Sequence, residues 1–204
     1  MKDLMSFLSV FCLTCCLLSC EKQNASKEVA PATVNENIET SNYGSFNSQI
    51  EWGEHLVFIA DCNECHTPKK MTDKGPELDM SLMLSGHPAD MPGIDVDRKD
   101  LEKKGIAASA TSTEWVGPWG ISYSGNLTPH ETGLGNWTEE QFFLAIRKGK
   151  YKGLEASRNL LPPMPWTSYK HMTDDEIKAI FAYLKSIKPV NNIVPAAVPP
   201  IGGS

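Results

Sequence analysis

This sequence of 204 residues is poor in most features that assign a function at once. Beyond residue 20 it has only two cysteines, Cys62 and Cys65, so no framework of disulfides can staple it. It has no basic excess: 19 Lys and Arg stand against 25 Asp and Glu. That balance argues against nucleic acid as a partner and favours basic partner surfaces. The apolar run from Leu4 to Leu18 is too short to span a bilayer comfortably. Residues 21–47 have almost no large apolar groups and cannot bury a core. With 41 % hydrophobic residues, the remainder suffices for one modest domain with tails.

What the sequence does have is Cys62-Asn63-Glu64-Cys65-His66, of the form C-x-x-C-H, the attachment signature of c-type haem. On a helical turn, residues three and four apart share a face. Cys62 and Cys65 can then bind the porphyrin through two thioethers while His66 serves as the proximal iron ligand. Three plainer readings compete. Structural zinc needs about four protein ligands, and the body offers two free cysteines. A thioredoxin-like pair belongs near a βαβ pattern, whereas these flanks read as helix. A disulfide between Cys62 and Cys65 would strain a very short loop. The histidine directly after the second cysteine discriminates in favour of one covalent haem c.

Residues 1–19 read as an export signal: Lys2, then the apolar run. Leu17-Leu18-Ser19-Cys20 resembles the lipobox of bacterial lipoproteins, which implies cleavage before Cys20 and lipid on its thiol. An uncleaved anchor helix is the alternative. Cys12, Cys15 and Cys16 would leave with the signal. Two or more acyl chains anchor stably where one is marginal. Residues 20–47 then form a disordered tether reaching ~30 Å. The expected location is outside the cytoplasm, lipid-anchored to a bacterial membrane and facing the periplasm or the outer surface.

Residues 48–188 form the expected domain. A first helix is expected over roughly Gln49 to His66, opened by Ser48 and Glu51 in a capping box, with Trp52, Leu56, Ile59 and Ala60 on its buried stripe. Between Lys69 and Gly125 the periodicity is lost and turn signals accumulate, so that stretch reads as loop, with a short exposed helix or loop in Asp95 to Lys104. Order returns with Thr138 and Gln141, a helix to about Lys148 and Gly149 as its stop. Thr173 and Glu176 open a last helix with Ile177, Ile180, Phe181 and Leu184 on one face, ended by Pro189. Residues 189–204, rich in Pro and Gly, read as an extended mobile tail.

His66 leaves one face of an iron open. Met164 lies in Leu160-Leu161-Pro162-Pro163-Met164-Pro165-Trp166, where flanking prolines limit backbone freedom. Its neutral thioether favours reduced iron and raises the potential. Met91 is the main rival, and His87, His130 and His171 could give bis-histidine ligation. A core methionine filling a gap is the plain alternative for Met164.

Helix, C-x-x-C-H, long loop, helix, Pro-Met loop and helix, in that order, resemble a class I cytochrome c domain. The resemblance implies an all-α, cytochrome c-like fold with three or more helices around one covalent haem, and long irregular loops. Gly75-Pro76-x-Leu78 is similar to that family's Gly-Pro-x-Leu, which implies that the Pro76 carbonyl accepts the His66 ring N–H. The family's first and last helices cross where a glycine meets an aromatic residue, here Gly53 against Phe181 or Tyr183. Asn126-Leu127-Thr128-Pro129 with Glu131-Thr132-Gly133-x-Gly135-x-Trp137 resembles the cytochrome subunits of membrane-bound alcohol and aldehyde dehydrogenases. Those subunits usually bear several haems, and this chain has one C-x-x-C-H.

The expected activity is electron transfer between a dehydrogenase or respiratory complex and an acceptor, with no small-molecule substrate and no catalytic residue. A haem enzyme or sensor of peroxidase type, with an open sixth position, competes. It would want a polar distal set, and Arg147 and Arg158 instead read as facing solvent or a haem propionate. A docking module with haem as a structural staple leaves the Pro-Met loop unexplained.

Overall fold

The computed structural model describes residues 43–202. The signal, Cys20, the tether up to residue 42 and residues 203–204 lie outside them. The helices are α1 (Gln49–Ile59), α2 (Cys62–His66), α3 (Arg98–Lys104), α4 (Glu139–Lys148), α5 (Trp166–Tyr169) and α6 (Asp174–Ser186). Two antiparallel hairpins accompany them, β1 (Lys69–Thr72) with β2 (Gly75–Leu78), and β3 (Glu114–Gly117) with β4 (Gly120–Tyr123). The fold is cytochrome c-like, mostly helical with small sheets.

Hydroxyl side chains start the three long helices where the sequence places them. Thr138 and Thr173 each accept from the backbone three residues on, and Gln141 and Glu176 return the bond to the cap amide. A hydroxyl cap is worth about 1 kcal/mol. Ser48 accepts from the Glu51 amide, but the Glu51 carboxylate reaches the Asn47 amide at 2.9 Å instead of closing on Ser48. α4 stops at Gly149, in the left-handed region at φ 62°.

The core is the crossing of α1 on α6. Leu56 and Val57 bury against a cluster that holds Ile177, Ala179, Ile180, Tyr183 and Leu184, with Phe142 of α4 stacked on Phe181 at 5.1 Å. Each aliphatic side chain buried this fully contributes roughly 1.5–3 kcal/mol. Gly53 makes the crossing possible. A Cβ there would lie 1.9 Å from the Ala179 carbonyl oxygen and 2.9 Å from the Tyr183 Cβ. Of the two aromatic partners expected for Gly53, Tyr183 is the one met.

Four sequence expectations need correction. The first helix is not continuous to His66: Asp61 takes a left-handed conformation (φ 60°, ψ 28°), and α2 starts anew after it. An aspartate tolerates that conformation better than most residues. Residues 69–125 are not simply loop, since they fold two hairpins, a 3-10 turn at Met80–Leu82 and α3, capped by Asp97. Short strands without a consistent alternation had no periodic signature to read. The end of the tether is not loose: Tyr43 packs on Trp52 at 6.0 Å and Phe46 on His55 at 4.9 Å. Finally, the Pro-rich tail is tied down through residue 198. Asn192 donates to the carbonyls of Ser85 and His87 and accepts from the Ala89 amide, and Val198 pairs with Ile121. Backbone partners far away in sequence hold it, which composition cannot register.

Candidate functional site

The short helix α2 is fixed from outside at its exposed carbonyls. Lys69 Nζ donates to the Glu64 carbonyl at 2.7 Å, the Thr67 amide to Asn63, and the Gly86 amide to the His66 carbonyl at 2.8 Å. The buried Thr67 hydroxyl donates to Asn63 Oδ1 and accepts from the Leu84 amide. Five residues make a helix too short to persist alone, so these ties hold the turn on which Cys62, Cys65 and His66 share a side.

His66 Nδ1 meets the Gly125 carbonyl oxygen at 2.7 Å. A carbonyl can only accept, so Nδ1 carries the proton and Nε2 keeps its lone pair. Burial holds the imidazole below its ordinary range, with the Gly125 carbonyl partly opposing. The ring is therefore neutral at physiological pH, the form that ligates iron. The expected role of Pro76 is overturned here: Pro76 is exposed in the β1–β2 hairpin, paired across from Met71. Gly125-Asn126-Leu127 supplies the carbonyl with a leucine two residues on. A glycine stands where the family pattern has proline, which is why the sequence pointed to the wrong Gly-Pro-x-Leu. Gly86 lies against this segment, where a Cβ would fall 2.6 Å from the Gly125 carbonyl carbon. Only a residue without a side chain lets the two strands of backbone meet behind the imidazole.

Cys62 and Cys65 are free thiols. Burial, reinforced by the Asp61 charge, pushes the Cys62 thiol up to about 12, and burial raises Cys65 against the pull of Lys69. A reactive redox pair needs thiolate at neutral pH. Two neutral thiols beside a neutral imidazole with Nε2 available fit a haem attached through two thioethers. Among the described residues no group of three His, Cys, Asp or Glu is arranged to hold a metal ion by itself.

Met164 is half-buried in a loop anchored on both sides. Ser122 Oγ of β4 donates to the Pro162 carbonyl at 2.6 Å and accepts from the Trp119 indole at 3.1 Å. After the loop, α5 brings the Tyr169 hydroxyl onto the Ala60 carbonyl, two residues before Cys62. Burial and the neighbouring Cys62 and Cys65 push Tyr169 up to about 12. Ser122 and Tyr169 carried no motif, since their roles depend on chain 40 and 109 residues away.

The rivals for the sixth position differ in burial and in what their ring nitrogens meet. His87 is buried with Nδ1 on the Thr113 hydroxyl at 2.9 Å, His130 Nδ1 meets the Thr132 hydroxyl at 2.9 Å, and His171 is exposed. Met91 is half-buried in the insert between the hairpins. Arg147, expected to face solvent or a haem propionate, donates to the Lys170 and Met172 carbonyls and pairs with Asp174, clamping α5 to the start of α6.

Sequence comparison agrees with this geometry. The family profile described as Cytochrome c matches residues 50–188. The fructose dehydrogenase cytochrome subunit of Gluconobacter japonicus is 31 % identical over 145 residues, covering 70 % of this chain and 22 % of the relative. The cytochrome c subunit of a quinone-type alcohol dehydrogenase from Gluconobacter oxydans is 30 % identical over 143 residues, 69 % of this chain and 22 % of the relative. A nicotinate dehydrogenase subunit from Pseudomonas putida is 29 % identical over 171 residues, 83 % of this chain and 11 % of the relative. The chain thus spans about a fifth or less of the length of these relatives.

Proposed function

The chain belongs to the cytochrome c family, and from that premise we propose that it is a one-electron carrier with a single covalent haem, tethered to a membrane by lipid on Cys20. Cys62 and Cys65 would provide the two thioether sulfurs, and His66 Nε2 and the Met164 sulfur would ligate the iron. A haem bound there supplies an Fe(II)/Fe(III) couple. The Gly125 carbonyl orients His66 and makes the imidazole a stronger donor to the metal. The prolines around Met164 present a thioether that has little freedom left to lose, and a neutral sulfur ligand favours the reduced state.

The observation that carries this reading is the His66–Gly125 bond, which fixes tautomer and ring direction beside two thiols on one helical turn. The relatives are named as dehydrogenase cytochrome subunits, which makes a dehydrogenase the favoured electron donor, with a respiratory complex as the alternative partner. Export to the periplasmic or outer face follows from the signal and lipobox. The anchor is assigned to Cys20 on the strength of the lipobox; no helix among the described residues is long and apolar enough to cross a membrane. The competing peroxidase-type reading wants a guanidinium at an open sixth position; Arg147 is engaged in the α5–α6 clamp, and Arg158 lies over the Tyr151 ring.

The test is mass spectrometry and axial-ligand spectroscopy of the exported protein made with intact haem-maturation machinery. The expected result is one haem per chain, a lipid-bearing N-terminal cysteine and a low-spin six-coordinate iron with a sulfur ligand. A colourless protein sinks the proposal; a five-coordinate iron that binds carbon monoxide directly sinks the Met164 assignment.

A further inference from the structure

The turn that carries Met164 has little backbone of its own to fasten it. Residues 161–164 close on themselves through the Met164 amide and the Leu161 carbonyl at 3.3 Å. The two prolines between them have no N–H to give. Among the described residues, one hydrogen bond ties this turn to a distant part of the fold, from Ser122 Oγ of β4 to the Pro162 carbonyl at 2.6 Å.

The direction of that bond is set by a third group. The Trp119 indole N–H can only donate, and it reaches Ser122 Oγ at 3.1 Å. A carbonyl can only accept, so the one hydroxyl proton goes to Pro162. The indole is itself held, in the turn between β3 and β4 where Gly117 pairs with Gly120. It lies so close over Gly117 that a Cβ there would fall 2.6 Å from the ring. Ile121, next to Ser122, pairs with Val198 of the C-terminal strap. Ser122 is only 8 % exposed, so removing its hydroxyl would leave the Pro162 carbonyl and the indole without the partner each now has.

The same piece of chain also serves His66. Three residues beyond Ser122, the Gly125 carbonyl takes the His66 Nδ1 proton at 2.7 Å. The backbone between is pinned by the Ser124 amide on the Thr113 carbonyl and by the His87 amide on the Ser124 carbonyl. Residues 122–125 thus fasten the Met164 turn at one end and orient the imidazole at the other.

We propose that Ser122 is a positioning residue for the sixth ligand: its hydroxyl, aimed by Trp119, holds the turn at residues 161–164 where the Met164 sulfur stays on the iron. The inference rests on the ligation proposed above. A soft thioether holds ferric iron less firmly than ferrous, so a loosened turn shows first in the oxidised protein.

The full haem-loaded chain is oxidised and mixed with cyanide, which takes the sixth position as an Fe–S bond breaks and an Fe–C bond forms. Ser122→Ala is expected to bind cyanide about five- to tenfold faster than wild type, the scale of one lost hydrogen bond, with a weakened sulfur-to-iron charge-transfer band. Trp119→Phe keeps a ring over Gly117 but not the N–H, and is expected to give a rise of about two- to threefold. It decides the matter should Ser122→Ala not fold. In Met164→Ala the sixth position is already open, so adding Ser122→Ala is expected to change the rate by less than about twofold. A general loosening of the domain would instead speed cyanide entry in both backgrounds. Wild-type rates in the folded variants, or an equal acceleration in the Met164→Ala background, overturn the proposal and leave Met164 as the ligand. A wild-type protein without the sulfur band overturns the ligation and this inference together.

Discussion

The imidazole of His66 is held by a carbonyl 59 residues further along the chain, at Gly125, with 2.7 Å between Nδ1 and oxygen. Everything between, both hairpins and α3, is an insert hung between the proposed metal ligand and the group that orients it. The Gly125 amide makes none of the backbone hydrogen bonds found among the described residues, and a Cβ there would meet nothing within 4 Å. Gly125→Pro is therefore expected to keep the bond, and to stabilise the haem-loaded protein by about 0.5–1 kcal/mol by restricting the unfolded chain. Thermal unfolding decides: a lower midpoint together with a changed iron spectrum means the carbonyl was displaced.

Removing the proposed sulfur ligand should separate packing from ligation. Met164→Ala is expected to convert the iron to a form that binds carbon monoxide, and Met164→His to keep six-coordination while lowering the midpoint potential. The drop should be on the order of 100 mV, a fraction of the roughly 0.8 V over which axial ligands act. Potentiometry on both variants checks this, and an unchanged potential in Met164→His would return Met164 to a packing role.

The α1–α6 crossing has no room for a methyl group. With the added carbon 1.9 Å from a backbone oxygen, Gly53→Ala must push the helices apart. Overpacking of this kind typically costs 1–3 kcal/mol, and since rigid backbone is the obstacle the expected loss is about 3 kcal/mol. Denaturant midpoints at equal slope provide the measurement, and a loss below about 0.5 kcal/mol would mean the crossing is looser than described.

Acid should act through His87. Burial holds its imidazole below the ordinary value of 6.5, outweighing the upward pull of Glu114. The Thr113 hydroxyl and the Tyr123 ring, at 4.9 Å, enclose it. As pH falls through that value the unfolded chain takes up a proton that the folded chain refuses, so stability is full above it and declines below. In the haem-loaded protein, where His66 is proposed to ligate iron, the decline between about pH 7 and pH 5 should be shallower in His87→Gln than in wild type. Parallel curves for the two proteins would assign the acid sensitivity elsewhere.

The parts of this molecule that could be read from its sequence are those whose physics is local. C-x-x-C-H is a single helical turn; Thr138 with Gln141 and Thr173 with Glu176 are caps closed within three residues; Gly149 stops the helix it follows. Gly53 against Tyr183 was one of the two pairings that the resemblance implied, the other being Phe181, and the helix period alone did not choose between them. Gly125 escaped, since its contribution is a backbone carbonyl that any residue carries, and a decoy Gly-Pro-x-Leu stood nearer to His66. The hairpins escaped because four-residue strands with glycine or proline inside them lack a period. The break at Asp61 escaped because one left-handed residue leaves no mark on hydrophobic spacing.

The C-terminal strap at Asn192 and Val198 also bears on the order of assembly. In any N-to-C emergence, from a ribosome or across a membrane, the attachment turn and the hairpins appear long before the residues that fasten them. Cys62 and Cys65 thus emerge well before the residues that fasten Ser85, His87 and Ile121.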